Sequence, residues 1–191
     1  MLNELLSEFS NWLGTSAGSQ ALIGSFYLWN WVESTHVITL MVSIGMLFII
    51  DLRMIGWAMT SVPASTIAER LNIPMLIGFA IMIITGLILY YANAIHETHS
   101  IWFRFKMVLL FAAAVNAFLF HRAMKKSIRT WGNDALPPKR IRVGAGVSLC
   151  LWIMVVFMGR LMAYNWYDCE LPQGAFIDWI AGCSSFPGLK L

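Results

Sequence analysis

The chain carries four continuous apolar runs, at about 31–59, 73–93, 102–121 and 143–164, separated by short polar stretches. A helix needs about 20 residues to cross a hydrocarbon core of ~30 Å, and each run supplies that length. Because the runs are continuous rather than alternating, helices and not strands satisfy the backbone in lipid. The pattern predicts an all-α integral membrane four-helix bundle. No Pro/Gly/Ser-rich linker, internal repeat or low-complexity tract interrupts it, so residues 1–191 read as one polytopic domain.

The flanks have a different pattern. Leu2, Leu5, Leu6, Phe9, Trp12 and Leu13 recur at helical spacing with Glu4 and Glu8 opposite. Segment 1–28 therefore reads as interfacial: a short amphipathic helix, then a second one over 20–27 started by Ser19. In the tail, 165–191, Pro172 is expected to open a helix that passes through Trp179 and Ile180 and closes at Gly182. Trp29, Trp31, Trp102, Tyr164, Trp166, Tyr167 and Trp179 gather at one membrane boundary, as an aromatic belt does.

Composition agrees: 59% of residues are hydrophobic and 12% charged, with mean hydropathy +0.68. A soluble domain carries roughly 25% charged residues. The net charge of +3 is concentrated between the third and fourth runs, in Arg122, Lys125, Lys126, Arg129, Lys139, Arg140 and Arg142. By the positive-inside rule that loop faces the cytoplasm with the 60–72 loop, leaving both termini and the His96–Ser100 loop periplasmic in a bacterial inner membrane. The charge is topogenic and implies no nucleic-acid partner. The Met1 end has neither a basic flank nor a small-residue cleavage site, so no removable signal peptide is expected. Cys169 and Cys183 fall in the outer tail and are expected to form a disulfide, with free thiols or a metal pair as the alternatives. Cys150 reads as a small apolar packer.

Polar residues inside the runs form two layers. Glu33, His36, Thr39, Ser43 and Asp51 share one stripe of the first helix, which should face other helices. Pro74, Gly78, Thr85 and His96 form a similar stripe on the second. The outer layer gathers Glu33, His36, His96, His99, Arg104, Lys106 and Arg160; the inner one gathers Asp51, Arg53, His121 and Arg122, with Asn116 slightly above.

Each layer admits a structural and a chemical reading. In the inner layer, Asp51 and His121 are expected to pair, either to cancel their burial cost or to handle a proton, while Arg53 and Arg122 snorkel. In the outer layer, His36 with His96, or in second place His99, suits the axial positions of a b-type haem, with Arg104, Lys106 and Arg160 near its propionates. His36 and His121 sit roughly 24 Å apart in depth, too far to share one iron. Alternatively Glu33, His36, His96 and His99 hold copper, zinc or iron. The plainest alternative pairs Glu33 with Lys106 or Arg160 and leaves His96 and His99 solvated.

The segments WNWVESTHVITLMVSIGMLFIIDLRMIGWAM and FRFKMVLLFAAAVNAFLFHR resemble an uncharacterised family of bacterial four-helix inner-membrane proteins. Its pattern of E-x-x-H-V, D-L-R-x-x-G, F-x-x-K-M and N-x-x-x-F-H matches Glu33/His36, Asp51/Arg53/Gly56, Phe103/Lys106 and Asn116/His121. His96 and His99 lie outside that pattern. The resemblance implies the membrane fold and no established activity. In layout the family is similar to copper-resistance membrane proteins and small b-type cytochromes, which is analogy between bundles.

Three functions follow as expectations: a b-type haem protein in membrane electron transfer; a cofactor-free subunit or assembly factor of a larger complex; and a periplasm-side metal-binding protein. The lipid bilayer is the one assured partner, and Gly and Ala on several faces also suit a homo-oligomer. No nucleophile–base arrangement, phosphate loop or dinucleotide fingerprint is present, so neither hydrolysis nor nucleotide chemistry is expected.

Overall fold

The structure is a computed structural model describing residues 2–132, 134, 136–164, 169 and 174–185. Its regular elements are α1 (Leu2–Gly14), α2 (Ala17–Ile23), α3 (Phe26–Ile55), α4 (Ala64–Ala92), α5 (Ala94–His99), α6 (Ile101–Trp131), α7 (Lys139–Met162), α8 (Ala175–Ala181) and a 3-10 turn, Cys183–Ser185. No strand occurs among the described residues. Four helices, α3, α4, α6 and α7, are long and apolar enough to cross a membrane. The fold is an all-α four-helix bundle.

The helices outrun the apolar segments that announce them. α4 begins nine residues before the expected 73, because Ala64–Asn72 is polar but has no helix breaker after Pro63. Its first N–H groups are also satisfied: Ala64 N–H donates to Gly132 O at 3.0 Å. α6 likewise runs past His121 to Trp131, since the polar stretch after His121 holds no Pro or Gly before Gly132. α3 stops earlier than expected, at Ile55. Gly56 takes φ +89°, a left-handed position natural to glycine, and its N–H closes onto Leu52 O at 3.1 Å. Pro172, expected to open the last short helix, lies outside the described residues together with Trp166 and Tyr167; α8 starts at Ala175.

The chain divides into two compact units. The first comprises Met1–Thr35, Ile84–Val108 and Val156–Leu191; the second comprises His36–Ile83 and Leu109–Val155. In the first, α1 is amphipathic as expected, but turned inside out. It buries Ser7, Ser10 and Gly14 while Leu2, Leu5, Phe9 and Trp12 stand exposed. The small residues admit α5 closely: a Cβ on Gly14 would come within 2.9 Å of the Ile95 side chain. α2 is pinned by Ser16 Oγ, 2.7 Å from Tyr91 Oη, and by Ser19 Oγ, which donates to Ala92 O at 3.1 Å. Cys169 and Cys183 form a disulfide and pack with Ala181 against Ile101.

The second unit has the larger apolar core: Ile50, Met54, Ala64, Ile67, Met75, Trp131, Ile141 and Ala145. Phe79 and Trp152 lie 4.9 Å apart. Asn116 Nδ2 donates to Gly144 O at 3.2 Å, joining α6 to α7.

Candidate functional site

Two buried polar clusters stand out, one in each unit. In the second unit, Asp51 lies on α3 about 6 Å along the axis from its end and is only 2% exposed. The Ser148 hydroxyl on α7 hydrogen-bonds its carboxylate. Oδ2 is buried and has no hydrogen-bond partner, and Ser43 Oγ two turns earlier on α3 is in the same condition. A buried polar oxygen left without a donor costs about 1–3 kcal/mol.

The nearby cations do not neutralise Asp51. Arg53, 1% exposed, donates Nε–H to Val62 O at 2.8 Å and Nη2–H to Asp134 O at 3.1 Å. It therefore ties both connecting segments to the end of α3, where snorkelling was expected. Arg142 donates Nε–H to Ile55 O at 3.0 Å. The D-L-R-x-x-G stretch thus has three distinct parts: a buried carboxyl, a loop clamp and a helix stop.

The expected Asp51–His121 pair is not formed. His121 is exposed, and its Nδ1–H donates to Ala117 O, one turn back on α6, at 3.0 Å. His121 lies five residues beyond Asn116, or about 140° around the helix. Asn116 faces α7, so His121 faces elsewhere. Arg122 stands 5.5 Å from the Phe118 ring.

The outer cluster belongs to the first unit and centres on Glu97, a residue the sequence reading passed over because it sits in the short polar link between two spans. Burial pushes its carboxyl up to about 7, against the pull of the Lys106 ammonium. Its Oε2 has no hydrogen-bond partner. Its position between His96 and His99, shortly before Arg104 and Lys106, was the available signal. His99 is buried; its Nδ1–H donates to Ile95 O at 2.8 Å, and burial lowers its imidazole below the ordinary value. Both imidazoles of α5 are therefore at least half-buried, not solvated.

Every cation expected in this layer has a protein partner. Arg104 donates Nε–H to Thr98 O at 3.0 Å and Nη1–H to Asn3 Oδ1 at 2.8 Å. The same Nη1 reaches Ile180 O. Lys106 interacts with Glu97, not Glu33. Arg160 donates to Tyr164 Oη and lies 4.4 Å from its ring centroid. Glu33 is exposed, and His36 is half-buried in the second unit. Among the described residues, no three His, Cys, Asp or Glu side chains come together as a metal site. Phe103 stacks on Tyr90 with ring centroids 5.3 Å apart, fixing the turn of α6 that carries Arg104 and Lys106.

Four membrane-capable helices with buried ionisable groups define a multi-pass membrane protein. The chain belongs to a family of unknown function, DUF6644, whose model matches residues 9–165. No curated protein and no solved structure matches it.

Proposed function

We propose that this is a proton-linked membrane protein in which the Asp51 carboxyl takes up and releases a proton. The observation that carries this reading is the half-satisfied state of that carboxyl: 2% exposed, bonded by Ser148, with Oδ2 unpartnered. Ionisable groups inside membrane spans are expensive and mark ion or proton sites. Packing alone would be served by an apolar side chain, and a structural ion pair would use Arg53 or Arg142, which are engaged with backbone carbonyls. A proton on Oδ2 turns that oxygen into a donor and changes what α3 can bond across to α7. Two oxygen-bearing side chains make a poor cation cage, which favours the proton over a metal ion.

The orientation belongs to the same reading. Arg70, Lys125, Lys139, Arg140 and Arg142 hold the Asp51 end at the cytoplasmic face of an inner membrane. The disulfide lies with the termini in the oxidising compartment.

The test is proton flux in proteoliposomes under an imposed potential. Wild-type protein passes protons, or takes up solute only with a proton gradient, and Asp51→Asn removes that dependence. Flux unchanged in Asp51→Asn would overturn the reading.

A further inference from the structure

α1 presents three different faces. At about 100° per residue, Ser7, Ser10 and Gly14 fall within one arc of about 60°, and all three are buried. Glu4 and Glu8 lie about 100° to one side of that arc and are exposed. Leu2, Leu5, Phe9 and Trp12 lie about 150° round the other way and are exposed too. A helix resting on a bundle in water needs a docked face and a polar face. The third face, apolar and uncovered, matches a helix that meets protein, water and hydrocarbon at once.

The height of α1 fits that division, because both its ends are tied to the ends of spans. Asn3 Oδ1 accepts from Arg104 Nη1 at 2.8 Å, about 4.5 Å into α6. Just past the other end, Ser16 Oγ lies 2.7 Å from Tyr91 Oη, in the last turn of α4. α1 therefore runs across the ends of two membrane-capable helices, where hydrocarbon gives way to headgroups.

Its apolar face also continues that of a span. Phe105 and Val108 on α6 share an open apolar cleft with Ile180 on α8. Asn3 Nδ2 donates to Trp179 O at 3.3 Å, which sets α1 beside α8. Phe176 and Trp179, one turn apart on α8, are exposed like the stripe on α1. A second copy of the chain is a poor cover for this surface. Residues 1–52 contain no Lys or Arg, so a contact between two α1 helices would set Glu4 and Glu8 against their own copies without a compensating cation.

We infer that α1 lies in the plane of the leaflet at this end of the spans, with Leu2, Leu5, Phe9 and Trp12 among acyl chains and Glu4 and Glu8 towards water. α8 continues the same collar through Phe176 and Trp179. The seating rests on apolar burial and needs no anionic headgroup. It does not depend on the proton chemistry of Asp51.

The experiment places a nitroxide on the full chain through Glu8→Cys, Phe9→Cys or Trp12→Cys, each in a Cys150→Ser background, in vesicles of phosphatidylcholine alone. Power saturation compares collisions with dissolved oxygen, which partitions into hydrocarbon, and with a water-soluble nickel chelate. The labels at Phe9→Cys and Trp12→Cys should meet oxygen several-fold more often than nickel, and the label at Glu8→Cys the reverse. Cys169 and Cys183 blocked to thiol reagents in each variant show the cap intact. Nickel contact exceeding oxygen contact at Phe9→Cys and Trp12→Cys would overturn the inference. So would labels there that neither reagent reaches, or dipolar broadening between labels on two copies.

Discussion

Ser43 Oγ and Gly78 face each other so closely that a Cβ added at Gly78 would stand 2.0 Å from that oxygen. The contact sets how near α3 comes to α4, as small residues do where membrane helices cross. Gly78→Ala is expected to destabilise the protein by about 1–3 kcal/mol. Adding Ser43→Ala should restore part of that loss, because the clash is with the hydroxyl, while the Ser43 Cβ at 3.3 Å stays tight. Thermal unfolding in detergent reads both.

Glu97 makes the first unit sensitive to pH. Its carboxyl is raised from 4.5 to about 7 by burial, so the folded state holds its proton more tightly than the unfolded state does. The stabilisation is complete below about pH 4.5, falls as pH rises towards 7 and is gone above it, for a total of roughly 3 kcal/mol. The protection of α1 and α5 against hydrogen exchange, taken relative to the intrinsic rate at each pH, should therefore fall between those limits. Glu97→Gln should flatten the profile; an unchanged profile would contradict the assignment.

Much of this was legible beforehand, and what escaped has physical causes. Four continuous apolar runs leave the backbone one solution, so the spans and their order follow directly. Their ends do not, since the helices of residues 64–92 and 101–131 continue through polar stretches where hydropathy falls silent. Rise per residue gives an expectation of depth and none of direction around the helix. On α6 that direction depends on which side Asn116 turns to Gly144. Ser148 carries no sequence signal as the partner of Asp51. Glu97 was hidden by looking like loop.

Arg53 should prove a clamp and not a snorkelling surface charge. Arg53→Met leaves Val62 O and Asp134 O without their donor, a loss of about 3 kcal/mol at 1–3 kcal/mol per bond. Arg53→Lys should recover only part of it, since a lysine cannot span two carbonyls with a planar fork. Limited proteolysis of the segments at 56–63 and 132–138 gives the readout.

The disulfide closes a separation of 14 residues, for which chain entropy gives about 3 kcal/mol. Cys169→Ser and Cys183→Ser should each loosen α8 by up to that amount, while the spans stay folded. A membrane-impermeant thiol reagent should label the reduced pair from the periplasmic face and leave Cys150 unlabelled. Labelling from the cytoplasmic face alone would reverse the orientation.

Infrared difference spectroscopy of the protein in lipid, on stepping from alkaline to acid, tests the central claim most directly. A carboxylic acid C=O band that disappears in Asp51→Asn, beside a separate band that disappears in Glu97→Gln, is the predicted result. Spectra of wild type and Asp51→Asn that superimpose throughout the step would contradict it.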